Sequence, residues 1–296
     1  MYLREFIDPF TPTDQEPWLW FADFETSKVG RRSVENFGRL ANYYAFKDEA
    51  GKENQELEKM LGKTESFSRA IFDTLRTRPS AFSSDDRVKL CVFVALLQTR
   101  VPSSRNYFEF IAGDLARQSV QPIATDPAKF EAALNDAVKG HELSATEIEQ
   151  LRLEALDDRT YDFQVSPEWS LQAMVEVGQM FSSILLQMNW AMLKPAAGVT
   201  FWSSDNPVVW LNPATWWKRG ISYHTLLQDD VEITFPLNPK LCLLASRKGP
   251  AGFYVVPNLM VSIMNHRQMM FADRYVIANN EGAVREAVSL RRPAPP

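Results

Sequence analysis

The sequence predicts an α+β fold with an N-terminal β-hairpin, a mostly helical middle, and a small antiparallel or mixed sheet with helices at the C-terminal end. Two short apolar runs between Pro17 and Val34 are typical of a hairpin. Apolar residues then recur with helical spacing until about Gly198, after which short apolar runs alternate with turns. Because helices and strands are segregated along the chain, the arrangement is α+β rather than α/β.

The first elements follow from turn, cap and breaker residues. The turn of the hairpin is expected near Glu25–Lys28. Helical spacing over 53–78 predicts a helix that Pro79 ends. The cluster Ser83–Asp86 is a good N-cap for the next helix, 87–100. That helix is apolar nearly all round and is therefore expected to be buried.

The rest of the middle region is also expected to be helical. Further helices are predicted at 104–118, 127–139, 144–156 and 167–192. Residues 121–127 are expected to be a connection. The helix near 144 has two candidate capping boxes, Thr146 with Glu149 or Ser144 with Glu147, and the sequence leaves both open.

The C-terminal part is expected to supply the sheet. Strands are predicted at 199–203, 208–211, 231–235, 241–246, 253–256 and 275–278, and helices at 258–271 and 282–290. The chain is expected to form a single compact domain over 1–290, followed by a flexible tail, 291–296. Within it we distinguish a hairpin arm 1–46, a helical part 47–197 and a sheet part 198–290.

Composition and charge indicate which class of protein the sequence encodes. Hydrophobic residues make up 45% of the chain and charged residues 23%, both ordinary for a folded soluble protein. The formal net charge of −5 argues against nonspecific binding along nucleic acid, although it leaves a local basic groove open. Cys91 and Cys242 lie in apolar runs and form no CxxC motif. Since the chain shows neither a signal peptide nor a membrane span, we expect it to be soluble and cytoplasmic.

The strongest candidate site is the stretch Thr200–Trp210, which reads as an apolar strand, a polar turn and a second apolar strand. The turn places a hydroxyl, a carboxylate and an amide side by side, in Ser204, Asp205 and Asn206. The Ser-Asp-Asn tripeptide of serine β-lactamases needs partner motifs that this chain lacks, so we reject that interpretation. Alternatively, Asp205 and Asn206 bond their own backbone in an Asx-type turn. Trp202 either packs in the core or stacks against a ligand ring.

A second candidate set lies where the buried helix ends. Gln98, Arg100 and Arg105 cluster around Pro102, and a guanidinium leaving an apolar helix needs a partner. The partner is either a phosphate or carboxylate of a ligand, or an internal carboxylate such as Asp205 or Glu65. Near the N-terminus, Arg4 is either a further anion-binding group or one half of a surface ion pair with Glu5.

These segments, taken in order, resemble the bacterial family known as domain of unknown function 4238. The resemblance is carried by Tyr2-Leu3-Arg4-x-Phe6, Trp20 with Asp23, Glu65, Leu97-Gln98-x-Arg100-x-Pro102-x-x-Arg105, Trp190, Phe201-x-Ser203-Ser204-Asp205-Asn206-Pro207-Val208, Pro236-Leu237-x-Pro239, Asn265 and Ala272-Asp273-Arg274-Tyr275-Val276. Members of that family usually carry a His-His-x-x-Pro element just before the Tyr-Leu-Arg segment, whereas here Met1 stands directly before Tyr2. The resemblance therefore implies either a start codon further upstream or loss of the element, and with it loss of any metal or proton chemistry of those histidines.

Two functions fit these residues. The first is a phosphoester or nucleic-acid hydrolase of the kind found in bacterial conflict systems. In it, Asp205 is a metal ligand or general base oriented by Asn206 and accompanied by Ser204, the arginines hold the anion, and the cofactor is left open, with a divalent metal as the candidate. The second is a noncatalytic binding or regulatory module, which holds a peptide, nucleotide or partner protein on an aromatic-rimmed turn beside Trp216 and Trp217. The sequence does not predict the oligomeric state.

Overall fold

The computed structural model describes residues 2–35, 37, 56–138, 143–157, 163, 166–215 and 226–291. It confirms the mixed α+β fold, with the hairpin first, helices in the middle and sheet strands towards the C-terminal end. The predicted groove beside Trp216 and Trp217, and the tail beyond Arg291, lie outside the described residues. None of the helices within the described ranges is both long and apolar enough to cross a membrane.

The described chain falls into two compact units. One combines residues 1–103 with residues 174–296, and the other comprises residues 104–173. The expectation of a single domain over 1–290 stays a prediction. All the candidate site residues except Arg105 belong to the first unit.

The predicted hairpin is confirmed and belongs to a sheet that also contains C-terminal strands. Its strands are β1 (Trp18–Asp23) and β2 (Lys28–Ser33). The later strands β4 (Ser203–Ser204) and β9 (Tyr275–Ala278) complete the order β2-β1-β9-β4, and each neighbouring pair is antiparallel. The N-terminal hairpin is therefore joined to residues more than two hundred positions further along the chain.

A second sheet is mixed, and it forms the larger core. Its strands are β3 (Asn189–Pro195), β5 (Val209–Leu211), β6 (Glu232–Asn238), β7 (Leu241–Ser246) and β8 (Gly252–Val256). They follow the order β5-β6-β7-β3-β8, in which only the described pair β3–β8 is parallel.

Helices cover most of the remaining described chain. They are α1 (Glu56–Thr77), α2 (Ser84–Thr99), α3 (Pro102–Ala124), α4 (Pro127–Ala137), α5 (Ala145–Leu156), α6 (Pro167–Gln187), α7 (Asn258–Phe271) and α8 (Glu281–Leu290). As predicted, Ser83 caps α2, in a capping box with Asp86. Of the two capping boxes left open for α5, the one formed is Ser144 with Glu147.

Three predicted boundaries were wrong. The strand expected over 199–203 is confined to β4 (Ser203–Ser204), because the amides of Phe201 and Trp202 donate to Pro239 and Asn265 instead of to a strand. The helix expected over 167–192 ends at Gln187, because β3 begins at Asn189 and pairs with β7 and β8. The helix α3 runs through the expected connection to Ala124, with Pro122 in its last turn. Pro122 has no N–H to donate to the carbonyl four residues earlier and its ring crowds that carbonyl, so it is unfavourable there, and the helix ends two residues later.

The two faces of the mixed sheet pack against different layers. Trp190 and Met192 of β3 point into the core that also contains side chains of α1, α2 and α6. Ala191 and Leu193 point the other way and pack against Val261 of α7. This alternation is the period of two expected of a strand buried on both faces.

Candidate functional site

Asp205 holds the start of β9 through backbone amides. Its Oδ1 accepts a hydrogen bond from the amide of Asp273 at 2.9 Å. Its Oδ2 accepts from the amides of Arg274 at 2.8 Å and Tyr275 at 2.9 Å. The amide of Asp205 itself donates to the carbonyl of Tyr275 at 3.1 Å. The side chain therefore does not close a local Asx-type turn but fixes a segment about seventy residues away.

The charge state of Asp205 is set by opposing influences. Burial raises the pKa of its carboxyl group to about 6, and the neighbouring Asp273 carboxylate acts in the same direction. The amides of Asp273, Arg274 and Tyr275 lower the pKa, because they stabilise the carboxylate anion. Within the described residues, no guanidinium takes part in a hydrogen bond or ion pair with Asp205.

A second carboxylate, that of the buried Asp23 at the end of β1, holds the side chain of Arg274 in the same segment. Its two oxygens accept from Nε and Nη2 of Arg274 at 3.1 Å and 2.7 Å. Its Oδ1 also accepts from the amides of Glu25 and Thr26, which form the hairpin turn. The guanidinium of Arg274 holds the pKa of Asp23 far below its usual range. The remaining Nη1 of Arg274 pairs with Glu25, so the donors of Arg274 are directed at protein carboxylates.

Ser204 and Trp202 are parts of the packed interior. The hydroxyl of Ser204, which is 1% exposed, donates to Oε1 of Gln268 at 2.9 Å, and Nε2 of Gln268 donates to the carbonyl of Pro207. Trp202 packs in a core of β1, β9, α7 and α8 side chains, and its amide donates to Asn265. With 4% of its surface exposed, Trp202 has no face open to a ligand ring.

Asn206 differs from Ser204 and Asp205 because one of its side-chain polar atoms is buried without a hydrogen-bond partner among the described residues. Its Nδ2 donates to the carbonyl of Phe271 at 3.2 Å and approaches Oγ of Ser103 at 3.4 Å. Its Oδ1 is buried, and among the described residues no donor reaches it. An unsatisfied buried acceptor is costly, so a hydrogen-bond donor bound at this atom would be favoured.

The predicted anion-binding residues are spread over several elements. Arg4 lies in a 3₁₀ turn, Tyr2–Phe6, and pairs with Glu35 at 2.9 Å on the surface, rather than with the Glu5 weighed from the sequence. Gln98 lies in α2, Arg100 is the C-cap of α2, and both are engaged by neighbouring groups. Arg105 lies in α3, within the unit 104–173. The expected convergence of Arg100 and Arg105 on Asp205 stays a prediction.

The arrangement limits the chemistry available at the turn. A carboxylate offers about four lone-pair positions, and Asp205 uses three of them for backbone amides. Its last position and Oδ1 of Asn206 are the atoms that could contribute to a metal or ligand site. Within the described part of the chain, no group of three or more His, Cys, Asp or Glu side chains is placed to hold a metal ion.

Three residues that organise this site were not singled out as site residues from the sequence. Asp23 and Arg274 form the ion pair beneath the turn, and Gln268 links Ser204 to Pro207. Asp23 and Arg274 were already among the positions that carry the family resemblance, and that was the signal available. Gln268 gave no signal, because a polar residue within a helix is unremarkable.

Comparison with known proteins places the chain in a family without assigning it an activity. A family model described as "Protein of unknown function (DUF4238)" matches residues 1–282. No curated protein and no solved structure matches the chain. The matched range includes both carboxylates of the site and the segment that they hold. It confirms the resemblance inferred from the ordered motifs, and the chain belongs to the DUF4238 family of proteins of unknown function.

Proposed function

We propose that this protein is a noncatalytic binding module that holds a peptide or partner protein. One observation carries the proposal: both oxygens of Asp205 accept backbone amides of Asp273–Tyr275. A general base or metal ligand needs lone pairs directed at the reacting group. Here three of about four lone-pair positions hold the protein's own backbone.

The surroundings of Asp205 support the same conclusion. Ser204 is buried and bonded to Gln268, and Arg274 is directed at Asp23 and Glu25. A phosphate would have to compete with these carboxylates for the guanidinium of Arg274, which makes the segment a poor anion site. The polar groups at the turn therefore stabilise the fold, and binding is left to the exposed surface of the molecule.

The protein offers an apolar surface suited to such binding. Strand β8 lies at the end of the mixed sheet, and its residues Phe253, Tyr254 and Val255 are 44%, 39% and 76% exposed. Exposed sheet edges with apolar side chains bind extended chains by adding a strand, since the backbone supplies affinity and the side chains supply specificity.

The test compares two carboxylate variants for turnover. Asp205→Asn removes the carboxylate predicted to be a metal ligand or general base. The matched control Asp23→Asn removes a buried carboxylate that holds the same segment and is not among the predicted catalytic residues. Both are assayed with bis(p-nitrophenyl) phosphate and with single-stranded DNA and RNA, in Mg²⁺ or Mn²⁺, and rates are scaled to the folded fraction from circular dichroism. We expect no turnover that depends on Asp205.

A second candidate, the phosphoester hydrolase, is favoured by two observations. Burial raises the pKa of Asp205 to about 6, and the adjacent Oδ1 of Asn206 has no donor among the described residues. Perturbed carboxylates with a free acceptor nearby are typical of catalytic sites. Loss of about 100-fold or more of wild-type turnover in Asp205→Asn, with Asp23→Asn retaining its rate, would establish this candidate and overturn the binding module.

A further inference from the structure

We infer that strand β8 pairs with β8 of a second copy of this chain, in an antiparallel arrangement centred on Tyr254. The inference rests on the proposed function and deepens it, because it names the partner that the exposed edge holds. The pairing would join the two mixed sheets into one continuous sheet across a two-fold axis. Isologous contacts of this kind are the commonest way in which soluble proteins form dimers.

The first argument is that β8 is an edge without the usual protection. Within the described chain it pairs only with β3, and its residues 252–256 contain no charge and no proline. The end strand of the other sheet, β2, presents Lys28, Arg31 and Arg32, all exposed. Charged edges repel added strands, whereas an uncharged apolar edge is a template for one. The difference indicates that the charges of β2 disfavour the addition of a further strand at that edge, whereas β8 can accept one.

The second argument is that β8 is complementary to itself. Phe253 and Val255 point to one face of the sheet and Tyr254 to the other. With the two-fold axis at Tyr254, Phe253 of one copy lies opposite Val255 of its partner, and the tyrosines lie opposite each other. Every apolar side chain therefore meets an apolar side chain on the same face, as cross-strand pairs require.

The third argument concerns the register. A shift of one residue would place Phe253 opposite Tyr254, whose side chains point to opposite faces, so that pairing is excluded. Centring on Tyr254 is the register that uses the whole strand from Gly252 to Val256. Pro250 and Pro257 flank the strand and limit any partner to about this length, because proline cannot extend the ladder.

The fourth argument is electrostatic and favours a second copy over a charged peptide. The cation described beside the strand is Lys194, whose Nζ lies 5.6 Å from the ring centre of Phe253. Lys194 is on β3, one strand in from the edge, so two copies keep their lysines apart. A strongly charged peptide would find no row of opposite charges along β8, whereas a neutral aromatic strand, such as β8 itself, fits.

Engineered cysteines test the pairing and its register. In the inferred dimer, residues 254 of the two copies are directly opposite, with Cα atoms about 4.5–5.5 Å apart, within the range of about 4.4–6.8 Å that a disulfide spans. Tyr254→Cys should therefore cross-link on mild oxidation. Phe253→Cys should not, since its own copies are diagonal neighbours about 7–8 Å apart, but it should cross-link to Val255→Cys when the two are mixed. The native Cys91 and Cys242 are both buried.

Sedimentation equilibrium measures the strength of the association. We expect the wild-type protein to dimerise at tens of micromolar, roughly the strength of a small interface. Val255→Lys should raise the dissociation constant at least about tenfold. Leu227→Lys is the matched control, because Leu227 is an apolar residue that is 70% exposed and is not part of β8. That control should leave the dissociation constant unchanged.

Three results would overturn the dimer: a monomer at all concentrations, equal effects of the two lysine variants, or cross-linking of Phe253→Cys as efficient as that of Tyr254→Cys. None of them depends on Asp205. Failure of the pairing is therefore distinguishable from failure of the noncatalytic function, which the turnover assay decides.

Discussion

Asp23 and Asp205 hold the same segment of chain but do so in different ways. Asp23 receives the guanidinium of Arg274, whereas the donors that reach Asp205 from the described residues are backbone amides. The cation lowers the pKa of Asp23, and burial raises the pKa of Asp205 to about 6. The comparison teaches that amide hydrogen bonds alone do not keep the pKa of a partly buried carboxyl group low, whereas a neighbouring charge of opposite sign does.

The largest effect is expected from removing the charge of Asp23. Asp23→Asn leaves the exposed Glu25 as the anionic partner of Arg274, and it should lower the free energy of unfolding by about 3 kcal/mol. The measurement is urea denaturation at neutral pH. Glu25→Gln is the control, since Glu25 is 64% exposed and surface pairs contribute at most about 1 kcal/mol. Equal losses in the two variants would show that burial does not distinguish the two partners of Arg274.

The pH dependence of stability should separate the two carboxylates. A carboxyl group with a raised folded-state pKa binds its proton more tightly when folded, so the stability contribution of Asp205 declines as pH rises from about 4 to about 6. The contribution of Asp23 has the opposite sign: it is present above about pH 4 and is lost as pH falls below that value.

Wild type and Asp205→Asn should therefore be compared between pH 4 and pH 6. As the pH is lowered over this range, the wild type should gain on the order of 2 kcal/mol relative to the variant. Thermal or urea unfolding at each pH gives the difference. If the variant instead became more stable relative to the wild type as the pH is lowered, the three amides would outweigh burial and keep the carboxyl group of Asp205 ionised.

The smallest effect is expected for Asp205→Asn at neutral pH. The amide keeps one acceptor oxygen, so part of the hydrogen bonding to Asp273–Tyr275 survives, and the cost of burying a charge disappears. The free energy of unfolding should fall by about 1 kcal/mol, less than for Asp23→Asn. A larger loss of unfolding free energy in Asp205→Asn than in Asp23→Asn, measured by urea denaturation, would show that the amide bonds of Asp205 stabilise the segment more than the ion pair of Asp23 does.

Local chemistry made much of the fold predictable. The helix starting after Ser83, the hairpin turn and the strand Leu241–Ser246 each depend on signals within a few residues. The strand beginning at Asn189 was missed because its apolar residues continue the pattern of the preceding helix. A fully apolar run has no period of its own, so tertiary pairing decides its structure.

The position of the candidate site in the chain could be predicted from the sequence, but the contacts that its side chains make could not. The polar segment Ser204–Asn206 stands out locally; Ser204 ends β4, and Asp205 and Asn206 lie between β4 and β5. Its partners at 273–275 are about seventy residues away, and Asp23 is 251 positions from Arg274. Contacts between residues so far apart in the chain produce no pattern that can be recognised in a single sequence. The catalytic role expected for Asp205 stays a prediction, and the contacts described for it are with backbone amides.

The position of β1 between β2 and β9 has a consequence for how the protein is made. Trp20 and its neighbours leave the ribosome early, yet their partner strand begins only at Tyr275. At about 5–20 residues per second, the finished hairpin waits tens of seconds with one side of β1 unpaired. During that interval the nascent chain presents an open ladder of amides and carbonyls, so its yield in the cell should depend on chaperone supply more than its final stability would suggest.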